Sequence, residues 1–105
     1  MAIANSQHIV IVGAGPGGLA ASLLLAKAGV KVTVVERSST VGGRTKVIER
    51  DGFKFDLGPT FFHYTEVIEE IFQAIGKDAH KELKLNQLDL NYRLIFGQGG
   101  QLDCT

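Results

Sequence analysis

Two rhythms of apolar and polar residues run along this chain, and each predicts an element. Ile9-Val10-Ile11-Val12 is a short, all-apolar, β-branched run, the pattern of a strand buried on both faces, as in parallel sheets. A glycine loop follows at 13–18. Residues 17–28 then carry Leu19, Leu23, Leu24 and the alanines 20, 21, 26 and 28, good helix formers that predict a helix ending at Gly29. Lys31–Glu36 predicts a second strand. Strand, glycine turn, helix and strand over 9–36 make one βαβ unit, whose crossover requires parallel strands and a right-handed connection.

A polar loop over 37–45 contains Gly42-Gly43-Arg44. Residues 45–56 predict a hairpin turned at Asp51-Gly52, and Leu57-Gly58-Pro59-Thr60 breaks the pattern. Over Thr65–Ile75, Val67, Ile68, Ile71, Phe72 and Ile75 recur on one helical face. Thr65 is the expected N-cap and Gly76 the expected C′ residue. Asp78–Lys84 reads as a short second helix. Leu88, Leu90, Tyr92, Leu94 and Phe96 alternate with mostly polar residues, predicting a strand over 88–96 with one buried face. Gly97–Gly100 turns it into a return strand over 101–105. No internal repeat is present.

Composition narrows the function classes. The 105 residues hold 11 Lys+Arg against 11 Asp+Glu, so neither a nucleic-acid-binding surface nor an acidic tail is expected. The 13 glycines are about double the average usage of roughly 7%, and most cluster at 13–18, 42–43 and 97–100. Cys104 is the single cysteine; it permits no intrachain disulfide or multi-cysteine metal site, and fits a reducing, cytoplasmic setting. The longest mainly apolar stretch, Leu19–Ala26, falls far short of the ~20 residues of a membrane span. Met1–His8 lacks the basic residues of a signal peptide. No metal site is expected.

The chemistry is carried by Gly13-Ala14-Gly15-Pro16-Gly17-Gly18, a G-x-G-x-x-G between a strand and a helix. Gly13 permits the tight turn, Gly15 lets bare backbone approach a pyrophosphate, and Gly18 lets helix and strand pack closely. The helix N-terminus adds free N–H groups and a partial positive charge. Glu36 ends the second strand at about the 20-residue spacing of an acid that accepts from ribose hydroxyls. It would repel a 2′-phosphate, arguing against NADP, with Arg37 beside it as a counterweight. Gly42, Gly43 and Arg44 follow on the edge where such sheets hold ligands, and Arg44 can pair with a phosphate.

Four stretches together resemble the N-terminal part of phytoene desaturase-like flavoproteins, the carotenoid desaturases within the wider FAD-dependent amine oxidase superfamily. They are Val10–Ala21, Val34–Arg37, Val41–Arg44 and Gly52–Thr60, the last containing Phe55-Asp56-Leu57-Gly58-Pro59-Thr60. Pro59 favours the desaturase branch over the amine oxidases. The resemblance implies FAD as cofactor. Gly13, Ala14, Gly15, Gly17 and Gly18 would line its pyrophosphate. Glu36, with Arg37, would hold the ribose. Gly42, Gly43 and Arg44 would reach from pyrophosphate toward flavin, and Gly58, Pro59 and Thr60 would lie near the isoalloxazine. Asp56 either orients the loop or caps a backbone group. FAD itself takes hydride from an apolar polyene in this family, so no catalytic residue is assigned; His63 and Tyr64 read as structural or solvated.

The implied fold class is α/β: a Rossmann-like βαβ unit with its GGR and DLGPT loops over 1–60, then a helix and the start of an antiparallel substrate-domain sheet over 61–105. Members of the family are several times longer, so the expectation is an incomplete domain, inactive alone. Apolar surface should stay open beside Ile9–Val12 and along Leu88–Phe96, with self-association through unpaired edges. A polyene substrate also implies peripheral membrane contact, on the resemblance alone. Two alternatives are a stand-alone, non-catalytic module binding NAD or ADP, and a segment of a flavin amine oxidase.

Overall fold

The computed structural model describes residues 7–59 and 61–105; Thr60 and the first six residues, including most of the segment read for a signal peptide, lie outside them. Strand β1 (His8–Val12) runs parallel to β2 (Lys31–Val35), joined by helix α1 (Pro16–Lys27). Ile9 pairs with Val32 and Ile11 with Val34, and these four form the face that α1 half-buries. Pro16 opens α1 at its first turn, where the missing N–H costs nothing. The helix closes when Gly29 donates to the Ala26 carbonyl and Val30 to that of Leu25, a Schellman arrangement.

The expected burial of β1 on both faces is not found. Val10 is 55% and Val12 86% exposed, because the face opposite α1 carries no second layer. Parallel sheets normally have both faces covered.

A 3₁₀ turn (Gly43–Thr45) leads into the hairpin of β3 (Val47–Arg50) and β4 (Phe53–Asp56). Arg50 pairs with Phe53 across the two-residue turn, where Asp51 and Gly52 both have positive φ, as a type I′ turn demands. Ile48, Phe53 and Phe55 share one face of this hairpin and all are exposed; the other face carries the Lys54–Glu49 ion pair at 2.9 Å.

Helix α2 (Thr65–Ala74) half-buries Ile68, Ile71 and Phe72 and closes at Gly76. Tyr64, not Thr65, occupies its N-cap position, with no side-chain cap; Thr65 is already the first helical residue. Helix α3 shortens to Ala79–Glu82, and Asp78 caps it by accepting from the His80 N–H. The strand expected over 88–96 contracts to β5 (Tyr92–Ile95), paired antiparallel with β6 (Gln101–Cys104). Its apolar side is exposed at Tyr92, Leu94 and Leu102, so alternation marks a face ready for burial that nothing here covers.

Among the described residues the strands form three separate two-stranded sheets. Among the described residues only Ala14, Val30 and Ala79 are buried. The chain exposes 8917 Å², against about 5,700 Å² for a compact monomer of this mass. Its radius of gyration is 18.4 Å, against about 13 Å for a compact domain. This is an incomplete α/β domain. Urea unfolding should therefore have a shallow slope, about 0.7 of that of a compact domain of equal length, since the slope scales with the surface newly exposed; a full-sized m-value in equilibrium denaturation would contradict it.

Candidate functional site

The site is built where β1 and β2 end. Both strands run in the same direction, so the loops that leave them share one edge of the sheet, the edge where open α/β sheets hold ligands. The first loop stays tight because the Gly13 N–H donates to the Val35 carbonyl at 2.7 Å. Ala14 is only 2% exposed. Its N–H donates to Glu36 Oε2 at 2.8 Å, and its carbonyl accepts from the Gly42 N–H at 2.8 Å. The glycine loop, the acid after β2 and the Gly42-Gly43 segment are thus tied through one residue.

Gly18 requires the absence of a side chain: a Cβ there would collide with the Gly13 carbonyl oxygen and press on Ile11. This is the close helix–strand approach assigned to the third glycine. At Gly15 and Gly17 a Cβ would meet nothing within 4 Å; these two face open space. Gly15 is the N-cap of α1, and no acidic residue occupies the first turn. The Leu19 N–H makes the first bond of the helix, to the Gly15 carbonyl, so the N–H groups of Gly17 and Gly18 precede the ladder and are available to an anion.

Gly15, Pro16, Gly17, Gly43, Arg44, Thr45 and Pro59 line one open groove of about 520 Å³. The 3₁₀ turn places Arg44 in the lining of the same groove as the helix start. Gly42 begins the turn with its carbonyl accepting from the Thr45 N–H and hydroxyl, at 3.0 and 2.9 Å. Gly58 has φ +79°, and a Cβ there would strike the Arg44 carbonyl oxygen. Its backbone therefore seats directly against the Arg44 turn. The sequence reading did not single out Thr45 or this contact, and missed the central position of the Ala14 peptide; the only signal for the last was its place between two glycines required to be bare.

Glu36 is half-buried, with Oε1 accepting from the Ser38 N–H at 2.8 Å. The Ala14 hydrogen bond, followed by that of Ser38, holds its carboxyl below the usual carboxylate range. Both oxygens are already engaged by backbone donors, a role the spacing rule does not contain. Arg37 is exposed and does not line the groove. Asp56 pairs with Val47 at the end of β4, and Leu57 donates to the Lys46 carbonyl; among the described residues no acceptor role appears for the Asp56 side chain. Thr60 lies outside the description. Among the described residues no cluster able to hold a metal ion is found, and no helix is long and apolar enough to cross a membrane.

His63 lies elsewhere, in a second groove with Phe61, Phe62, His80, Lys84 and Leu88. His80 there meets Glu69 at 3.1 Å in an exposed pair.

Glycine turn, bare helix start and an acid after the second parallel strand define the chain as a Rossmann-type dinucleotide-binding protein. Residues 11–75 match the model of the NAD(P)-binding Rossmann-like domain, and the chain belongs to that family. It is 39% identical over 101 residues to the carotenoid 3,4-desaturase of Haloarcula japonica, covering 96% of this chain and 20% of that one. It is 46% identical over 97 residues to the phytoene dehydrogenase of Streptomyces griseus, covering 92% of this chain and 19% of the other. Among solved structures, putrescine oxidase bound to putrescine superposes with a TM-score of 0.58 at 33% identity, over 94% of this chain and 21% of that one. The chain thus spans about a fifth of the length of the curated relatives it matches.

Two outcomes follow from this geometry. Gly18→Ala should destabilise the fold by about 1–3 kcal/mol through overpacking, whereas Gly17→Ala, inside the helix with open space around it, should be neutral or stabilising by up to ~1 kcal/mol; paired thermal melts decide. Because folding lowers the Glu36 pKa, its stabilising contribution is complete above the pKa of the unfolded chain and disappears as pH falls through the lower folded value. Glu36→Gln should flatten that acid-side loss in melts run across the carboxylate range.

Proposed function

We propose that the chain is the FAD-binding segment of a flavin-dependent oxidoreductase of the carotenoid-desaturase type. One observation carries the reading: the helix start at Gly15–Gly17, the Gly43-Arg44 turn and Pro59 line a single groove at the strand ends. Gly15 and Gly17 leave that cradle free of side chains, which suits a pyrophosphate. In this reading Gly13, Ala14, Gly15, Gly17 and Gly18 surround the pyrophosphate. Glu36 and Arg37, neither of them a lining residue of the groove, serve the adenosine ribose. Gly42, Gly43 and Arg44 reach from the pyrophosphate toward the flavin side, with Arg44 supplying the positive charge. Gly58, Pro59 and Thr60 belong to the flavin side, Gly58 acting through the Arg44 turn.

The flavin supplies the hydride acceptor; these residues bind and orient it, and none acts as acid or base. The names of the desaturase relatives support an apolar polyene as substrate, and with it a chain working beside a membrane in the cytoplasm. The division into a cofactor unit over 1–60 and the start of a substrate region over 61–105 belongs to the same proposal. The open apolar faces support chemistry only once further polypeptide covers them, so the chain alone is inactive. Its unpaired strand edges favour self-association until then, and the even charge balance supports no nucleic-acid partner.

The test is gel filtration after incubation with FAD. Flavin absorbance should co-elute with the chain, ADP should compete, and NAD should bind more weakly. Arg44→Gln should lower FAD affinity roughly tenfold, as expected for a lost charge-assisted contact. Equal affinity for NAD and FAD would instead favour the non-catalytic nucleotide module.

A further inference from the structure

The clasp at Ala14 gives Glu36 a reach beyond the ribose. Glu36 Oε2 accepts from the Ala14 N–H, the Ala14 carbonyl accepts from the Gly42 N–H, and the Gly42 carbonyl accepts from Thr45. Arg44 rides in the turn that this last bond closes. The hydrogen bonds run unbroken from Glu36, which is not itself a lining residue of the groove, to the turn that places Arg44 in its lining. All but one of the groups between are backbone; the exception is the Thr45 hydroxyl, which supports a bond the Thr45 N–H also makes. Glu36 is therefore the side chain on which the arrangement turns. Its second oxygen accepts from the Ser38 N–H, so both carboxylate oxygens are engaged by backbone donors.

We propose that Glu36 is a positioning residue for the phosphate cradle, setting the Ala14 peptide and through it the Arg44 turn, in addition to any contact with ribose. The proposal rests on the dinucleotide-binding reading. A carboxylate accepting from two fixed amides is a charge-assisted arrangement, and losing one such bond is worth roughly a tenfold change in affinity. An acid that served ribose alone would affect only ligands that possess the ribose diol.

The experiment has a ligand-free arm and a binding arm. In the full chain, the amide proton shifts of Ala14 and Ser38 are followed by NMR across the carboxylate range. Both should titrate together, and both titrations should vanish in Glu36→Gln. The variant separates Glu36 from every other carboxylate. An Ala14 amide that does not titrate with Glu36 overturns the proposal.

In the binding arm, ADP and 2′,3′-dideoxy-ADP are titrated into wild type, Glu36→Gln and Glu36→Asp, the last keeping the charge but shortening the reach. Both variants should lose roughly tenfold for both nucleotides. On the dideoxy ligand, Glu36→Gln combined with Arg44→Gln should lose less than the product of the single effects. Unchanged dideoxy-ADP affinity with weakened ADP affinity overturns the proposal and leaves Glu36 as a ribose acceptor. If neither nucleotide binds wild type, the dinucleotide reading fails, and the Ala14 titration alone decides the clasp.

Discussion

The described structure turns on the hydrogen-bonding of a single buried peptide segment. Ala14 is almost fully enclosed, and a buried backbone group left without a partner costs about 1–3 kcal/mol. Its N–H and carbonyl must both be satisfied, and the nearest available partners are the Glu36 carboxylate and the Gly42 amide. Meeting that requirement draws the loops after both parallel strands together. The groove is the space left between them once this is done. Gly18 completes the constraint from the other side, by letting α1 sit against the Gly13 carbonyl.

Elsewhere the chain is held by much less. The β3–β4 and β5–β6 hairpins are amphipathic, each with an apolar face exposed and an ion pair on the other. Exposed pairs of this kind contribute about 0–1 kcal/mol, so the hairpins depend on local turn geometry. Their apolar faces have the composition of a core without the second layer that makes one. The chain's similarity to about a fifth of much longer relatives agrees with a layer supplied by other polypeptide.

Much of this was legible in the residues. The βαβ unit, the Asp51-Gly52 turn and the glycine that admits the helix all follow from short-range rules, and short-range rules survive when a domain is incomplete. What failed was what depends on a second layer. The all-apolar β1 is suited to two covered faces and the alternation over 88–96 to one, but the layer is absent from these residues, and the apolar surface expected to stay open beside Ile9–Val12 and along Leu88–Phe96 does so. The strand over 88–91 failed with it, since pairing with β6 begins only at Tyr92. Thr65 failed as a cap because Tyr64 took the position, a one-residue shift at a helix end that composition does not resolve. Within the site, spacing located Glu36 but not its partners, because hydrogen bonds to backbone leave no mark on residue type.

The groove's walls come from one continuous stretch, Gly15 to Pro59, with no contribution from β5 or β6. The Ala14–Glu36 bond spans 22 residues, and the entropy of closing such a loop grows only slowly with its length. In a longer polypeptide made from its N-terminal end, such a cradle can be assembled while later strands are still being synthesised.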